Sequence, residues 1–390
     1  MKHFNADLHL HSRFSIGTSP TLDLQHLSEA AHIKGINILG TGDCLQGAWL
    51  EELETSLEKS GDGYEFAGVA YVIQAEVETT VNGRVHHLIL FPSLSSAHAL
   101  REILLAKGYS KLTSGRPQLK LSPGELVSLG CEVGALVGPS HAFTPWTSMY
   151  AVYDSIHDCY GENEKRIAFL ELGLSADTQM ASKIAELDSC TFVSFSDAHS
   201  ARLDKLGREM TRFSLRRPNF REIDRALRGV NGRGIVLNVG LDPREGKYHL
   251  TGCRRCKKAY ELEDIIVNGK VLKTCPACGG PLKIGVKDRI QLLALKNSNT
   301  STARRPPYLH AVPLLEILRA MKRSHYVNVK KVYEALIKRF ENEIAILIDA
   351  PLSSIRREHP PLADVLARFR KDDIDFEFVG RGGWYGRIKI

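Results

Sequence analysis

The sequence has no apolar stretch approaching 20 residues, and its N-terminus lacks the charged, apolar and small-residue succession of a secretory leader. A bilayer span and an export signal are both excluded from the reading, so a soluble cytoplasmic protein with no membrane partner is expected. Cysteine is scarce, and half of it is patterned: Cys253, Cys256, Cys275 and Cys278 fall into two close pairs, while Cys44, Cys131, Cys159 and Cys190 are scattered. That distribution favours a metal site plus free thiols over a disulfide framework. Charge of one sign is not in large excess either, since the net charge is only +7. Its distribution is uneven, however: Ser200 to Lys258 carries 16 lysines and arginines against 6 acidic residues. Such a block suits a polyanionic partner, most simply nucleic acid, with a solvated basic face as the bland alternative. The length of 390 residues and the 43% apolar content allow two or three domains with a sizeable core.

From the N-terminus to about Gly240, short apolar runs alternate with amphipathic ones. Strands are predicted at 4–10, 36–41, 70–77, 85–91, 134–138, 168–172, 191–196 and 234–239. Helices are predicted at 22–34, 50–59, 97–107, 123–129, 176–187 and 220–228. Alternation of this kind gives an α/β fold of parallel strands and crossover helices, either a closed barrel or an open sheet. In a barrel, functional groups collect where the strands end. The first strand runs into Asp7-Leu8-His9-Leu10-His11, where a pleat would place Asp7, His9 and His11 on one face and Leu8 and Leu10 on the other. The following strand ends deliver Asp43, then Glu76 and Glu78, His86 and His87, His141, Glu171, and finally Asp197 with His199. Isolated histidines such as His26, His32 and His98 read as structural. Imidazole or carboxylate at seven consecutive strand ends reads as a metal cluster.

His9-x-His11, Glu76, His87, His141 and Asp197-x-His199 together resemble the motifs of the PHP (polymerase and histidinol phosphatase) family over roughly the first 240 residues. The resemblance implies a PHP-type distorted β/α barrel holding two or three catalytic divalent ions: Zn2+, Mn2+, Fe2+ or Mg2+. It also implies that His9, His11, Glu76 and Asp197 form one site, that Glu76 bridges to a second with His87 and His141, and that Asp43 and His199 serve a third. The family commonly has Thr-Asp-His where this chain reads Thr41-Gly42-Asp43-Cys44, and a histidine often found soon after His11 is missing. For the third site Asp43 is favoured, with Cys44 or an empty site as alternatives. His86 and His87 face opposite ways on a strand, and the family pattern selects His87. Asp7 and Glu171 stand as supporting groups or further ligands. Such ions serve phosphate ester cleavage, in which Asp197 and His199 would orient water or protonate the leaving group, with Glu76 between the ions.

Cys253-x-x-Cys256 and Cys275-x-x-Cys278, 18 residues apart, have the spacing of a zinc ribbon, a closed tetrahedron of thiolates with a structural Zn2+. Arg254, Arg255, Lys257 and Lys258 decorate the first pair and suit a phosphate backbone. Beyond Val286 the pattern is helical, with candidates at 287–295, 312–322, 329–347 and 362–369 and a polar linker at 298–307. The tail 380–387 interleaves glycine, arginine and aromatics; it suits either an unpaired nucleic-acid strand or a packed terminal hairpin. Trp146, Trp384 and Tyr385 are candidates for stacking on bases, the alternative for each being a core position. Gln291 to Leu295 loosely resembles a sliding-clamp peptide, although on an amphipathic helix it reads as core.

A barrel of residues 1–240, a four-cysteine domain of 241–286 and a helical DNA-contacting region of 287–390, in this order, resemble the endonuclease Q family. This implies a DNA-repair endonuclease cutting 5′ to deaminated bases (uracil, hypoxanthine, xanthine) and abasic sites, leaving 3′-hydroxyl and 5′-phosphate ends. DNA bearing such nucleotides would be its partner. A PHP phosphatase acting on a small phosphomonoester and a non-catalytic nucleic-acid-binding module are the alternatives; neither explains both the ribbon and the full set of rim imidazoles.

Overall fold

The computed structural model describes residues 1–109, 112–267, 270–296, 303–322 and 328–390. The first half closes into a ring of seven short strands: β1 (Lys2–Asp7), β2 (Ile38–Gly40), β3 (Val69–Thr79), β4 (Val85–Phe91), β5 (Leu136–Pro139), β6 (Leu170–Glu171) and β7 (Phe192–Val193). Neighbours pair in that order, β5 meeting β6 through the amide of Ala168 and the carbonyl of Val137 at 2.9 Å. The ring closes where Leu10 bridges Ala198 in parallel and the His11 amide donates to the Ala198 carbonyl at 3.1 Å.

The ring departs from the expected all-parallel order at β4, which is antiparallel to both neighbours. Its cause is local. Only residues 80–84 separate β3 from β4, too few for a crossover helix, and Asn82 and Gly83 take the positive φ angles (62° and 136°) of a tight hairpin. On its outer side β1 also pairs antiparallel with β8 (Met210–Leu215), followed by β9 (Gly234–Gly240) and β10 (Tyr308–His310). The strands β8 and β10 escaped the periodicity: β8, held between β1 and β9, has a mostly buried but irregular pattern, and the three-residue edge strand β10 is half-buried throughout.

Side-chain alternation divides the apolar residues into two layers. Ile38, Ala70, Val72, Leu88, Leu90, Leu136, Phe169 and Val193 fill the barrel, and Ile223, Ala226 and Leu227 of the helix Phe220–Leu227 plug its lower end. Leu39, Tyr71, Ile73, Ile89 and Phe91 point outward against helices such as Leu24–Lys34, Gly47–Ser56, Leu94–Ala106 and Pro123–Glu132. Each helix begins at a capping side chain: Asp23, Gln46, Ser93 and Ser122 accept from amides three residues on. The pleat of β1 stops at Asp7, so Leu8 packs inside and Leu10 outside, rather than in the one layer expected of them.

Two smaller cores follow. Cys253, Tyr260, Leu262, Ile265 and Cys275 form the first, and Val312 to Ile374 the second, built on helices Leu314–Lys322, Val329–Phe340, Leu352–Glu358 and Pro360–Phe369. The helix expected over 329–347 ends at Phe340, because Glu341 turns to φ 73°. The helical group docks on the barrel through Lys34, whose Nζ lies 2.5 Å from Glu343 with both side chains buried. Arg212 also pairs with Asp349 at 2.7 Å. Of the linker expected at 298–307, residues 298–302 lie outside the described residues. The tail forms a hairpin of Asp375–Phe378 with Arg387–Lys389 against the cysteine module, the Leu250 amide donating to the Gly380 carbonyl. No described helix is long and apolar enough to cross a membrane.

Candidate metal centre and nucleic-acid interface

Backbone at three of the ring's strand ends is bent into the left-handed region: Asp43 has φ 42°, His141 φ 31° and Asp197 φ 49°. Residues other than glycine hold such angles only where their surroundings over-determine them, and such positions concentrate at functional sites. Each turn is strapped. Trp49 Nε1 donates to the carbonyls of Thr41 and Gly42, and the Gly42 amide donates to Gln74. The His141 amide donates to Glu171 at 2.8 Å. Ser196, next to Asp197, donates from its amide and its hydroxyl to Asp7.

These turns aim side chains at one point. Nε2 of His9 lies 3.5 Å from Glu76 and 3.6 Å from Asp197, and Nε2 of His11 lies 3.4 Å from Glu76 and 3.1 Å from Asp197. On the other side of Glu76, Nδ1 of His86 and Nε2 of His141 stand 3.1 and 3.2 Å from the same carboxylate oxygen. Three sets of donors therefore lie close enough to share an ion: His9, His11 and Glu76; His11, Asp197 and His199; Glu76, His86 and His141.

Behind three of these imidazoles stands a carboxylate. Glu171 accepts from Nδ1 of His9, Asp43 from Nδ1 of His11 at 3.0 Å, and Glu78 from Nε2 of His86 at 2.9 Å. An imidazole that donates one N–H outward presents the other nitrogen's lone pair inward, the arrangement of a metal ligand and its orienting partner. Burial disfavours charge on His9, but Glu171, Asp197 and Glu76 outweigh it and raise its pKa well above the usual value. Glu76 and Asp197, despite the cost of burial, are held ionised by the surrounding histidines. Nε2 of His9 and one oxygen of Glu76 are buried without a hydrogen-bond partner. Buried anions, inward lone pairs and orphaned donor atoms fit divalent cations.

Three expected placements are corrected. His87 is not part of the cluster: it shares the outward parity of Ile89 and Phe91, bonds Thr79 at 2.9 Å and Tyr160 at 3.2 Å, and is held neutral by burial, its pKa lowered to about 3. Its place is taken by His86, which shares the inward parity of Leu88 and Leu90 and stands directly across from Glu78 in the hairpin. Asp43 does not face His199. Its carboxylate is spent on His11 and on the amide and hydroxyl of Ser12 at 2.6 and 2.7 Å, and the groups meeting His199 are His11 and Asp197. Cys44 is packed in the outer core, where burial pushes its thiol pKa well up. Asp7 accepts from Ser196 and Gly207 beneath the site, and burial raises its pKa to about 6.

Sequence reasoning missed Arg116, whose Nη1 lies 2.9 Å from Glu76 with the side chain about a quarter exposed. No motif pointed to it; a lone arginine in an irregular stretch carries no spacing signal.

The four cysteines of the second module meet as a group, Cys253 and Cys278 sulfurs 3.5 Å apart and those of Cys256 and Cys275 3.7 Å apart, which fits a closed thiolate tetrahedron for zinc. Arg254, Arg255 and Lys258 are exposed beside them. The half-exposed Trp146, on the loop after His141, lies under Lys283 at 3.9 Å and Arg254 at 5.5 Å, with Tyr248 against its edge. Trp384 and Tyr385 are exposed on the tail, with Lys257 over the first at 5.8 Å and Lys247 over the second at 5.5 Å. Of 291–295, Leu293 is buried in the outer barrel core, so the segment is not a free peptide.

The seven-strand ring and the ion-binding groups at its rim define a PHP-type barrel protein with an appended cysteine module. Comparisons with known proteins narrow the class. A family model described as the MJ0043 C-terminal domain matches residues 313–373. The uncharacterized protein MJ0043 of Methanocaldococcus jannaschii is 40% identical over 257 residues, 64% of this chain, and the match spans only 31% of that longer protein. The uncharacterized protein YqxK of Bacillus subtilis is 31% identical over 418 residues, with both chains fully covered. Among solved structures, the lesion-specific endonuclease PfuEndoQ from Pyrococcus furiosus superposes with a TM-score of 0.92 at 41% identity, over 100% of this chain and 96% of that one. An endonuclease Q complex with a 27-mer duplex substrate, an abasic lesion at its active site, superposes with a TM-score of 0.89 at 41% identity, over 100% and 97%. The chain belongs to the endonuclease Q family.

Proposed function

We propose that this chain is a metal-dependent DNA endonuclease of lesion repair. It cleaves the phosphodiester on the 5′ side of a deaminated base (uracil, hypoxanthine or xanthine) or of an abasic site, leaving 3′-hydroxyl and 5′-phosphate ends. The observation that carries the reading is the convergence of His9, His11, Glu76, His86, His141, Asp197 and His199 at one rim, with orienting carboxylates behind three of the imidazoles. The full-length likeness to an endonuclease Q bound to an abasic duplex supports the substrate class.

His9, His11, Glu76 and Asp197 would hold one ion and Glu76, His86 and His141 a second; His199 with His11 and Asp197 offers a third position. The mixed nitrogen and carboxylate set suits zinc, manganese or iron better than magnesium. Bound divalent ions supply an activated water and neutralise charge on the scissile phosphate. Around them, Arg116, which pairs with Glu76 at 2.9 Å and is partly exposed, would meet a phosphate oxygen, since guanidinium matches that group in planar, paired hydrogen bonds. With that third position empty, His199, a third exposed at the rim, would exchange a proton with solvent or the leaving oxygen, and Asp197 would orient the water.

Residues 1–240 are then the catalytic barrel, 241–286 the zinc module and 287–390 the helical region. Arg254, Arg255, Lys257 and Lys258 track phosphates, and Trp146, Trp384 and Tyr385 meet bases or sugars beside them. The test uses end-labelled duplexes identical except for one uracil, hypoxanthine, abasic or ordinary nucleotide, incubated with protein and manganese. A single nick just 5′ to the altered nucleotide, absent from the control, is expected. Equal cutting of the control would make it a general nuclease. No cutting, with hydrolysis of a chromogenic phosphomonoester, would make it a phosphatase. Salt-sensitive binding alone would make it a binding module.

A further inference from the structure

The loop that follows His11 turns outward beside the metal centre and is fixed along its length. Ser12 bonds Asp43, the carbonyl of Phe14 accepts from the Gly115 amide at 3.0 Å, and the Ser15 hydroxyl lies 3.1 Å from Nδ1 of His11. On the returning limb the Thr18 hydroxyl donates to the Ser15 carbonyl at 2.6 Å, and the Ser19 amide donates to the carbonyl of His199 at 3.1 Å. At the tip, where Gly17 takes φ 82°, stands Ile16. It is 85% exposed, the highest value among the large apolar side chains of the described residues. A β-branched side chain is stiff, and burying it rather than exposing it is favourable. A rigid loop that holds such a group in water, one residue from a side chain touching His11, keeps it there against that gradient.

We propose that Ile16 is the wedge that enters the DNA base stack next to the lesion. The inference rests on the endonuclease reading above. Apolar wedges such as isoleucine insert between base steps and hold them apart, and a nucleotide taken into an active site leaves a gap of that kind in the duplex. Ile16 follows Ser15, whose hydroxyl touches His11, so it stands on the His11 side of the cluster, where the nucleotide next to the cleaved phosphate would lie. Trp146, on the loop after His141, is another candidate. Its ring already carries Lys283 and Arg254 over it and Tyr248 at its edge, whereas Ile16 is bare.

A wedge matters only where there is a stack to fill. The test compares cleavage of a duplex with one abasic site and of the same lesion strand unpaired, in manganese, by the wild-type protein and by Ile16→Ala and Ile16→Leu. Ile16→Ala is expected to cut the duplex about tenfold more slowly or worse and the single strand within about twofold of wild type, with Ile16→Leu restoring most of the duplex rate. With no manganese added, 2-aminopurine opposite the lesion should brighten on binding wild-type protein and less on binding Ile16→Ala. Duplex cutting by Ile16→Ala at the wild-type rate, or equal losses on both substrates, would overturn the wedge and leave the endonuclease reading standing. Wild-type protein that cuts neither substrate would overturn that reading and the wedge with it.

Discussion

Glu171 holds both of its carboxylate oxygens 2.9 Å from Nδ1 of His9, in a pair wholly withdrawn from solvent. The same carboxylate accepts the amide of His141, so one side chain sets the orientation of a ligand candidate on each side of the bridging Glu76. Removing it frees the His9 imidazole and loosens the backbone turn that carries His141. Glu171→Ala is expected to weaken divalent-ion binding about 10- to 100-fold while the chain stays folded. Metal content after dialysis and calorimetric titration with manganese would show it. Unchanged affinity would remove Glu171 from the site.

The adjacent histidines of β4 separate a ligand from a packing residue. His86→Ala is expected to lose ions from the Glu76–His141 side and cut activity at least about a hundredfold, with little change in melting temperature. His87→Ala should do the reverse. It deletes a buried ring bonded to Thr79 and Tyr160 and should cost about 2–4 kcal/mol in urea denaturation while ion stoichiometry is kept. If the two variants exchanged phenotypes, the assignment by strand parity would be wrong.

The cysteine module is predicted to be separable from the chemistry. Its core of Cys253, Tyr260, Leu262, Ile265 and Cys275 is too small to stand without metal. Cys253→Ser with Cys256→Ser should release one zinc per chain and weaken duplex binding about tenfold, with a shallower salt dependence as phosphate contacts are lost. The barrel should keep its rim ions, read by metal analysis of the same sample. Undiminished zinc and affinity would count against the module as a DNA contact.

The site was legible in the sequence to the extent that it depends on strand ends. Histidines and carboxylates recurring after apolar runs need only the strand pattern, so His9, His11, Glu76, His141, Asp197 and His199 could be named before any coordinates. What was not legible depends on pairing. His86 differs from its neighbour only in parity, and parity is fixed by the register of the 80–84 hairpin, which places His86 opposite Glu78. Asp43 sits at the expected strand end, but a left-handed backbone turns its carboxylate to His11 and Ser12. Arg116 arrives from an irregular segment that no periodicity describes. The strands β8 and β10 were hidden for a related reason: neither shows the strict alternation of a half-buried strand, β8 being mostly buried and β10 only three residues long.

The contact between barrel and helical region should be sensitive to pH. His310, at the end of β10, lies 3.1 Å from Asp177 of the barrel and 2.5 Å from Asp372 beyond the last long helix. Burial opposes its charge, but the two aspartates prevail and raise its pKa to about 9, against about 6.5 in an unfolded chain. Folding therefore favours the protonated ring. The stabilisation is complete below pH 6.5 and is lost as the pH rises through 9, at most about 3 kcal/mol and less because solvent screens the exposed Asp372. His310→Gln removes the titrating group, and other ionisations cancel when the variant is compared with the wild type. Urea denaturation at pH 6 and pH 10 should show the wild type losing its advantage over His310→Gln across that interval. A constant difference would mean that the ring is neutral in the folded chain and that the docking rests on Lys34–Glu343 and Arg212–Asp349 instead.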